Sequence, residues 1–394
     1  MKKYGRIFYS LALANFLFFL GNSLFILLPL FLKDLGASES AIGIMNNIDK
    51  VVALFAAVFI GGLMSGRDRV RLLRLGYLIL IAAFASYLLI SSLTWLILLI
   101  RIVHGIGFSL AMILGTTIIF DIVSPEDAAE AIGIYGVTGA LSNALSPFVG
   151  EMLLSSGYPH SLIFTLSVIL VTGSLSITYM MPRLHSEEPE TTGEEQRGSL
   201  RLFRNPRFAV IALVTVIFAG GFGVIITYLP NFIRTTTDMK FSYFFLIYIA
   251  VLICIRFFFI GKIGRTRSSS LLLAAFSTGT VLFFLMNSLH SYSVLALVGV
   301  LYGFTHGILY PLLNSTMVRI VSRADRGRAN AIFTACFNGG MMSLALSLGF
   351  LIDRTGTYLA AFNVAGAMYI VAILMLVIMR ARRARGAGAA DAAL

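Results

Sequence analysis

The sequence predicts an all-α membrane protein, with twelve transmembrane helices forming two six-helix pseudo-symmetric bundles. Three observations predict this. The 394 residues are 58% hydrophobic and only 12% charged, with a mean hydropathy of +0.91, well beyond ordinary globular usage. Apolar stretches of about 20 residues, enough to cross roughly 30 Å of hydrocarbon, recur along the whole chain. The longest polar break, "PRLHSEEPETTGEEQRGSLRLFRNPR" at 182–207, carries five of the 18 acids and divides the chain near its middle.

Taken in order, the first span, 7–31, follows a basic start. Its apolar run is too long for a signal-peptide core and no A-x-A-like site follows, so it is expected to be retained. The second, 39–64, opens on Glu39 and contains "IMNNIDKVVALF". The third, 72–93, follows an arginine-rich loop, and the fourth, 95–120, contains "LIRIVHGIGFS". The fifth, 129–153, holds Pro147, and the sixth, 160–181, stops at Pro182. In the second half the spans are 207–230, 241–264, 269–289, 292–318, 329–352 and 357–379. The expected organisation is a first bundle at 1–181, a cytoplasmic linker at 182–206, a second bundle at 207–380 and a cytoplasmic tail at 381–394.

The 30 Lys and Arg outnumber the 18 acids, a balance that in a soluble protein points toward nucleic acid. Their placement points to topology instead. With the N-terminus inside, 23 fall on the cytoplasmic side, and only Lys33, Arg234, Lys240 and Arg354 on the other. This bias orients the chain in the cell's inner (plasma) membrane with both termini cytoplasmic. Lys50, Arg101 and Arg256 belong to neither surface. The two cysteines, Cys254 and Cys336, lie in apolar spans without metal or redox spacing and read as packing residues.

The halves are related by a weak repeat. A shift of 198 residues lays Ile122, Val123 and Ser124 on Ile320, Val321 and Ser322, and places Gly105, Asp127, Ala131 and Phe164 on Gly303, Asp325, Ala329 and Phe362. Two parallel repeats with both ends inside suit a transporter whose substrate site lies near the bilayer midplane.

On these motifs the chain resembles the major facilitator superfamily over residues 5 to 380, and is most similar to its bacterial drug:proton antiporter-like branch. "RIVHGIGFS" resembles the family's R-x-x-Q-G-x-G, with Arg101, Gly105 and Gly107 in place and His104 for Gln; "SPEDAAEAIGIYG" follows as the usual short loop and helix start. "GGLMSGRDRVR" resembles G-x-L-x-D-R-x-G-R-R, keeping Gly61, Leu63 and Arg69 but with Ser65 at the Asp place and Asp68 at the loop Gly. The resemblance implies a cytoplasmic charge relay that holds the outward-facing state. Arg69 and Asp121 match its ion pair, while the substitution at Ser65 leaves the interdomain half to Asp68 or to nothing. "GALSNALSPFVGEML" resembles the antiporter motif G-x-x-x-G-P-x-x-G-G, with Pro147 and Gly150 kept and Ser146 and Glu151 standing for glycines.

Charges inside the membrane are expensive and mark candidate sites. By helical rise Arg101 lies roughly 9 Å and His104 roughly 14 Å from the outer end of the fourth span. Arg101 reads either as a substrate contact or as a tie within its own bundle. Asp49 is the candidate proton-coupling carboxylate, with a fixed ion pair to Arg101 as the rival reading; His104 is a second proton-coupling candidate. Lys50 and Asp49 diverge by about 100° around their helix and are not expected to pair. Arg256 reads as a cavity cation or as a snorkel to the inner headgroups. His306 and Tyr310 share a helix face, and helix 10 lines the central cavity in the family. Asn22, with Asn15, occupies a stretch where relatives often carry an acid. Glu151, near the outer end of the fifth span, is read equally as outer gating, solvation or transport. The expected substrate contacts are thus Arg101, His104, Lys50, Arg256, His306, Tyr310 and Asn22.

No nucleophile triad, phosphate-cradling loop, Walker motif or metal spacing occurs in the sequence. No enzyme chemistry, ATP-driven pumping, cofactor or metal is therefore expected. The leading expectation is a proton-coupled secondary exporter of small amphipathic anionic or zwitterionic molecules, working by alternating access as a monomer. Its rivals are a proton-coupled importer of an organic anion, a lipid or lysolipid flippase, and a non-transporting sensor. The basic tail is expected to meet anionic lipid headgroups.

Overall fold

A computed structural model describes residues 4–64, 67–124, 127–184, 200–258, 268–322 and 325–391. All regular structure among them is helical. The twelve helices are α1 (Arg6–Asp34), α2 (Glu39–Met64), α3 (Arg69–Ser86), α4 (Leu96–Ile122), α5 (Ala128–Ser155) and α6 (His160–Tyr179), then α7 (Pro206–Thr236), α8 (Ser242–Phe258), α9 (Ser268–Leu285), α10 (Tyr292–Ile320), α11 (Arg326–Thr355) and α12 (Tyr358–Asp391). Among the described residues nine stretches are long and apolar enough to cross a membrane, and Ser242–Ile255 is a shorter apolar helix.

The ends differ from the sequence expectation for local reasons. α3 starts at Arg69 rather than 72 because Asp68 accepts hydrogen bonds from the Val70 and Arg71 amides and so caps an earlier first turn. α7 runs through Pro230 to Thr236, and α12 continues past 379 through an alanine- and arginine-rich stretch of strong helix formers. The inner end of the eighth span, 259–264, lies outside the described residues.

The chain divides into two compact units. Among described residues the first holds 4–184 and 240–249, and the second 200–239 and 250–391. The ten residues 240–249 thus group with the first unit.

In the first unit α1 is gripped by α5 and α6. Hydroxyls do much of this work: Ser142 donates to the Phe16 carbonyl, Ser146 to Leu20, Ser167 to Gly21 and Ser174 to Ala14, each at 2.8 to 2.9 Å. In lipid, where helices gain little from apolar burial against one another, small residues and such hydrogen bonds supply association. α1 tightens to a 3₁₀ turn at Leu24–Leu27 before Pro29. Gly150 of α5, the helix that also holds Pro147, lies beside this turn, where an added carbon would meet a Leu27 methyl. In the second unit α7 packs on α11 and α12. Tyr228 donates to the Ala345 carbonyl at 2.5 Å and Tyr369 to Phe218 at 3.1 Å.

The repeat is visible in matching turns. The Asp127 amide donates to the Ser124 carbonyl and the Asp325 amide to Ser322, both at 3.1 Å. Each aspartate also accepts from its serine hydroxyl, at 3.2 and 2.8 Å. The second turn adds Arg328 at 2.7 Å from Asp325. The Ser322 hydroxyl first, and then Arg328, hold this exposed carboxyl below the ordinary aspartate range. The contribution is present above that ordinary range and lost as pH falls through the lowered value. Ser322→Ala is thus expected to move the Asp325 titration upward toward the ordinary value, measured by NMR of a carboxyl-labelled sample; an unmoved titration would assign the shift to Arg328 alone.

A buried ion cluster between α2 and α4

The sequence places Arg101 and Gly105 one helical turn apart on α4, with Asp49 and Lys50 mid-way along α2. What lets these helices meet is Gly105. A side chain there would come within 2.8 Å of the Asp49 carbonyl and 2.9 Å of Val52. Gly107 performs the same service toward α3, where an added carbon would meet Leu80 and the Gly76 carbonyl at 2.9 and 3.0 Å. The G-x-G of "RIVHGIGFS" is thus a two-sided contact device. Gly105→Ala is expected to cost about 1 to 3 kcal/mol and to pull Asp49 away from Arg101, seen as a lowered unfolding temperature in detergent. Ala at the open Gly133 is the control.

Arg101 is 2% exposed. Its Nε donates to the Met45 carbonyl at 2.9 Å and its Nη2 to the Asn46 carbonyl at 2.6 Å. The same Nη2 stands 2.6 Å from Asp49 Oδ1. Its Nη1 lies 2.8 Å from His104 Nδ1. A guanidinium only donates, so Nδ1 is the acceptor and His104 is the neutral Nε2–H tautomer. That Nε2–H donates to Asn22 Oδ1 at 2.8 Å. The ring also sits edge-on to Phe25 and Phe84, at 5.0 and 4.9 Å. His104 can take up a proton only by giving up Arg101.

Lys50 corrects an expectation. Adjacent positions point apart on a helix, yet the Lys50 ammonium is paired with Asp49 Oδ2. Its four-carbon arm folds back across the backbone to the only carboxylate within reach among the described residues of the cluster. Exposure then separates the two cations: the side chain of Lys50 is 32% exposed, those of Arg101 and Asp49 3% and 5%. Arg101, with its three nitrogens committed to protein acceptors, is a tie between α2 and α4. Lys50 is the more exposed of the two cations.

The other expected residues lie elsewhere. Arg69, the first residue of α3, pairs with Asp121 in the last turn of α4. Asp68 is spent on capping and on the Leu184 amide at 3.3 Å, and Ser65 lies outside the described residues. Arg256 is helical, but its side chain is also outside them. His306 and Tyr310 belong to the second unit, in an aromatic group with Phe218, Phe222, Tyr302 and Phe337. At the repeat offset Tyr302 corresponds to His104, and it stacks on Phe222 at 5.8 Å. The polar site of the first unit thus has an aromatic counterpart in the second. Nothing in the residue pattern points to the Met45 and Asn46 carbonyls, because backbone acceptors carry no residue signature. A second miss is the pairing of Glu151 with the Phe241 and Ser242 amides, for which a glutamate at a glycine place of the helix 5 motif was the available signal.

Comparison with known proteins completes the picture. The Major Facilitator Superfamily profile matches residues 11–286 and 242–393. An uncharacterized MFS-type transporter, YtbD of Bacillus subtilis (strain 168), is 25% identical over 381 residues, covering 93% of each chain. The staphylopine export protein of Staphylococcus aureus (strain Mu50 / ATCC 700699) is 21% identical over 399 residues, covering 93% of this chain and 94% of that one. The crystal structure of the nucleoside transporter NupG superposes with a TM-score of 0.83 at 12% identity, over 95% of this chain and 99% of that one. The chain belongs to the Major Facilitator Superfamily, and is a membrane transporter of small molecules rather than an enzyme.

Proposed function

We propose that the protein is a proton-coupled secondary transporter of small amphipathic anionic or zwitterionic molecules that carries proton and substrate in the same direction by alternating access, in the inner membrane with both termini cytoplasmic. The observation that carries this reading is the division of labour at Asp49: one oxygen faces the sealed Arg101, the other the reachable Lys50. An incoming carboxylate or phosphate competes with Asp49 for Lys50. A proton on Asp49 removes that competition, which couples anion binding to protonation through one shared ammonium. Export is the second reading, favoured by the staphylopine export protein among its relatives, and it requires that proton and substrate exclude each other instead. The arginine-rich inner loops and the few outer cations support the orientation.

The test uses right-side-out vesicles holding an acid-outside gradient read by a pH-gradient dye. An amphipathic carboxylate, a zwitterion and a cation of matched size are added in turn. The carboxylate and the zwitterion are expected to discharge the gradient, the cation is not, and D49N vesicles respond to none. Discharge by the cation alone would overturn the substrate class. Accumulation of the carboxylate in inverted vesicles, driven by internal acid, would overturn the direction.

A further inference from the structure

We propose that Glu151 is a releasable cap that fastens the outer end of α8 to the outer end of α5, and that its release is a step of the transport cycle.

Glu151 lies in the last turn and a half of α5 and is 7% exposed. Its Oε1 accepts from the Phe241 amide at 2.8 Å and its Oε2 from the Ser242 amide at 2.7 Å. These are the opening amides of α8, which have no acceptor within their own helix. A carboxylate at that end also complements the helix dipole. Each oxygen takes one amide and the Ser242 side chain adds a further hydrogen bond, so the contact is a set of charge-assisted hydrogen bonds. Phe241 and Ser242 are themselves 3% and 2% exposed, which keeps water from competing. Lys240, next in the chain, adds a positive charge beside the carboxylate.

A helix start is ordinarily capped by the residue just before it. Here the cap comes from 90 positions away, in the other half of the sequence. In the grouping of the chain 240–249 belong to the first unit, while the same helix from 250 onward belongs to the second. Glu151 also stands where the resembled helix 5 motif has glycine, a residue with nothing to offer an amide. Its neighbour Gly150 meanwhile lets the Leu27 side chain of α1 close against α5, where an added carbon would meet a Leu27 methyl. Carriers of this fold work by rocking one repeat against the other. A helix covalently part of the second repeat but held at its first turn by the first must be let go at that turn when the repeats part. The cap is polar and small in area, so it can hold one state without making it permanent.

The test needs no transported substrate, and its outcome is therefore separable from that of the proposed function. Hydrogen exchange of the full-length protein in lipid nanodiscs reads the Phe241 and Ser242 amides. Glu151→Ala is expected to speed their exchange about five- to thirty-fold, with peptides from α4 unchanged. Glu151→Gln, which keeps the shape and one acceptor oxygen, should give a smaller increase and serves if the alanine variant folds poorly. In a second arm, a cysteine replaces Asn22 in protein carrying Cys254→Ser and Cys336→Ser, and is reacted with a membrane-impermeant maleimide from the outer face. Loss of the Glu151 carboxylate is expected to raise that rate by a similar factor. Unchanged exchange at 241 and 242 would overturn the cap. Faster exchange with an unchanged labelling rate would overturn its part in the cycle.

Discussion

Replacing Arg101 with leucine is expected to destabilise the folded protein by about 3 to 5 kcal/mol, the range found when one partner of a buried ion pair is removed. The loss has two sources. Asp49 would be left buried with Lys50 as its cation, and the Met45 and Asn46 carbonyls would lose the donors that satisfy them. The measurement is the temperature at which detergent-solubilised protein loses its monodisperse size-exclusion peak. In the R101L/D49N double variant much of the loss should return, because the stranded charge is gone while the stranded carbonyls persist. Arg101→Lys should fall between, since one ammonium cannot span two carbonyls, a carboxylate and His104 as a planar fork does. An R101L protein as stable as the wild type but inactive would instead assign Arg101 to the substrate.

How much of this was legible beforehand depends on how local each feature is. The twelve helices were readable because crossing a bilayer needs about 20 apolar residues at a stretch. The loops between them announce themselves by charge. The relay pair Arg69 and Asp121 could be named because each stands in a recognisable motif place. Helix ends were less readable: the start of α3 turned on whether Asp68 would cap it or serve elsewhere, and a sequence lists both uses with equal weight. The roles within the ion cluster were the least readable. Arg101 and Lys50 are both cations in apolar helices, and which of them is sealed depends on Gly105 bringing the α2 backbone against α4. The pairing of Lys50 with its own neighbour escaped a helical-wheel argument, which tracks where side chains leave the backbone and not how far a lysine arm can travel. The Glu151 cap depends on a contact 90 residues distant, beyond the reach of any local pattern.

Asp49→Asn separates binding from coupling and is the sharpest test of the shared-ammonium reading. If Asp49 were simply part of the substrate pocket, removing its charge would weaken binding or leave it unchanged. If Asp49 and the substrate compete for Lys50, asparagine stands in for the protonated acid, and the anion finds Lys50 already released. A charge-assisted hydrogen bond is worth about 1.5 to 3 kcal/mol, so relief from competition should tighten binding of a transported carboxylate about tenfold or more near neutral pH. The pH dependence of binding should flatten at the same time, because the group that exchanged the proton is gone. Transport driven by a pH gradient should fall by at least about a hundredfold, while exchange of labelled for unlabelled carboxylate across the membrane, which needs no net proton movement, persists. Lys50→Gln should do the reverse, weakening the anion by the same bond while a cation of matched size is unaffected. Calorimetric titration of both variants at two pH values, with the carboxylate that discharges the gradient in wild-type vesicles, reads the first half of this contrast, and counterflow in proteoliposomes reads the second. Weaker binding by D49N would mean that Asp49 holds the substrate itself, and the coupling would then have to run through His104, at the cost of its bond to Arg101.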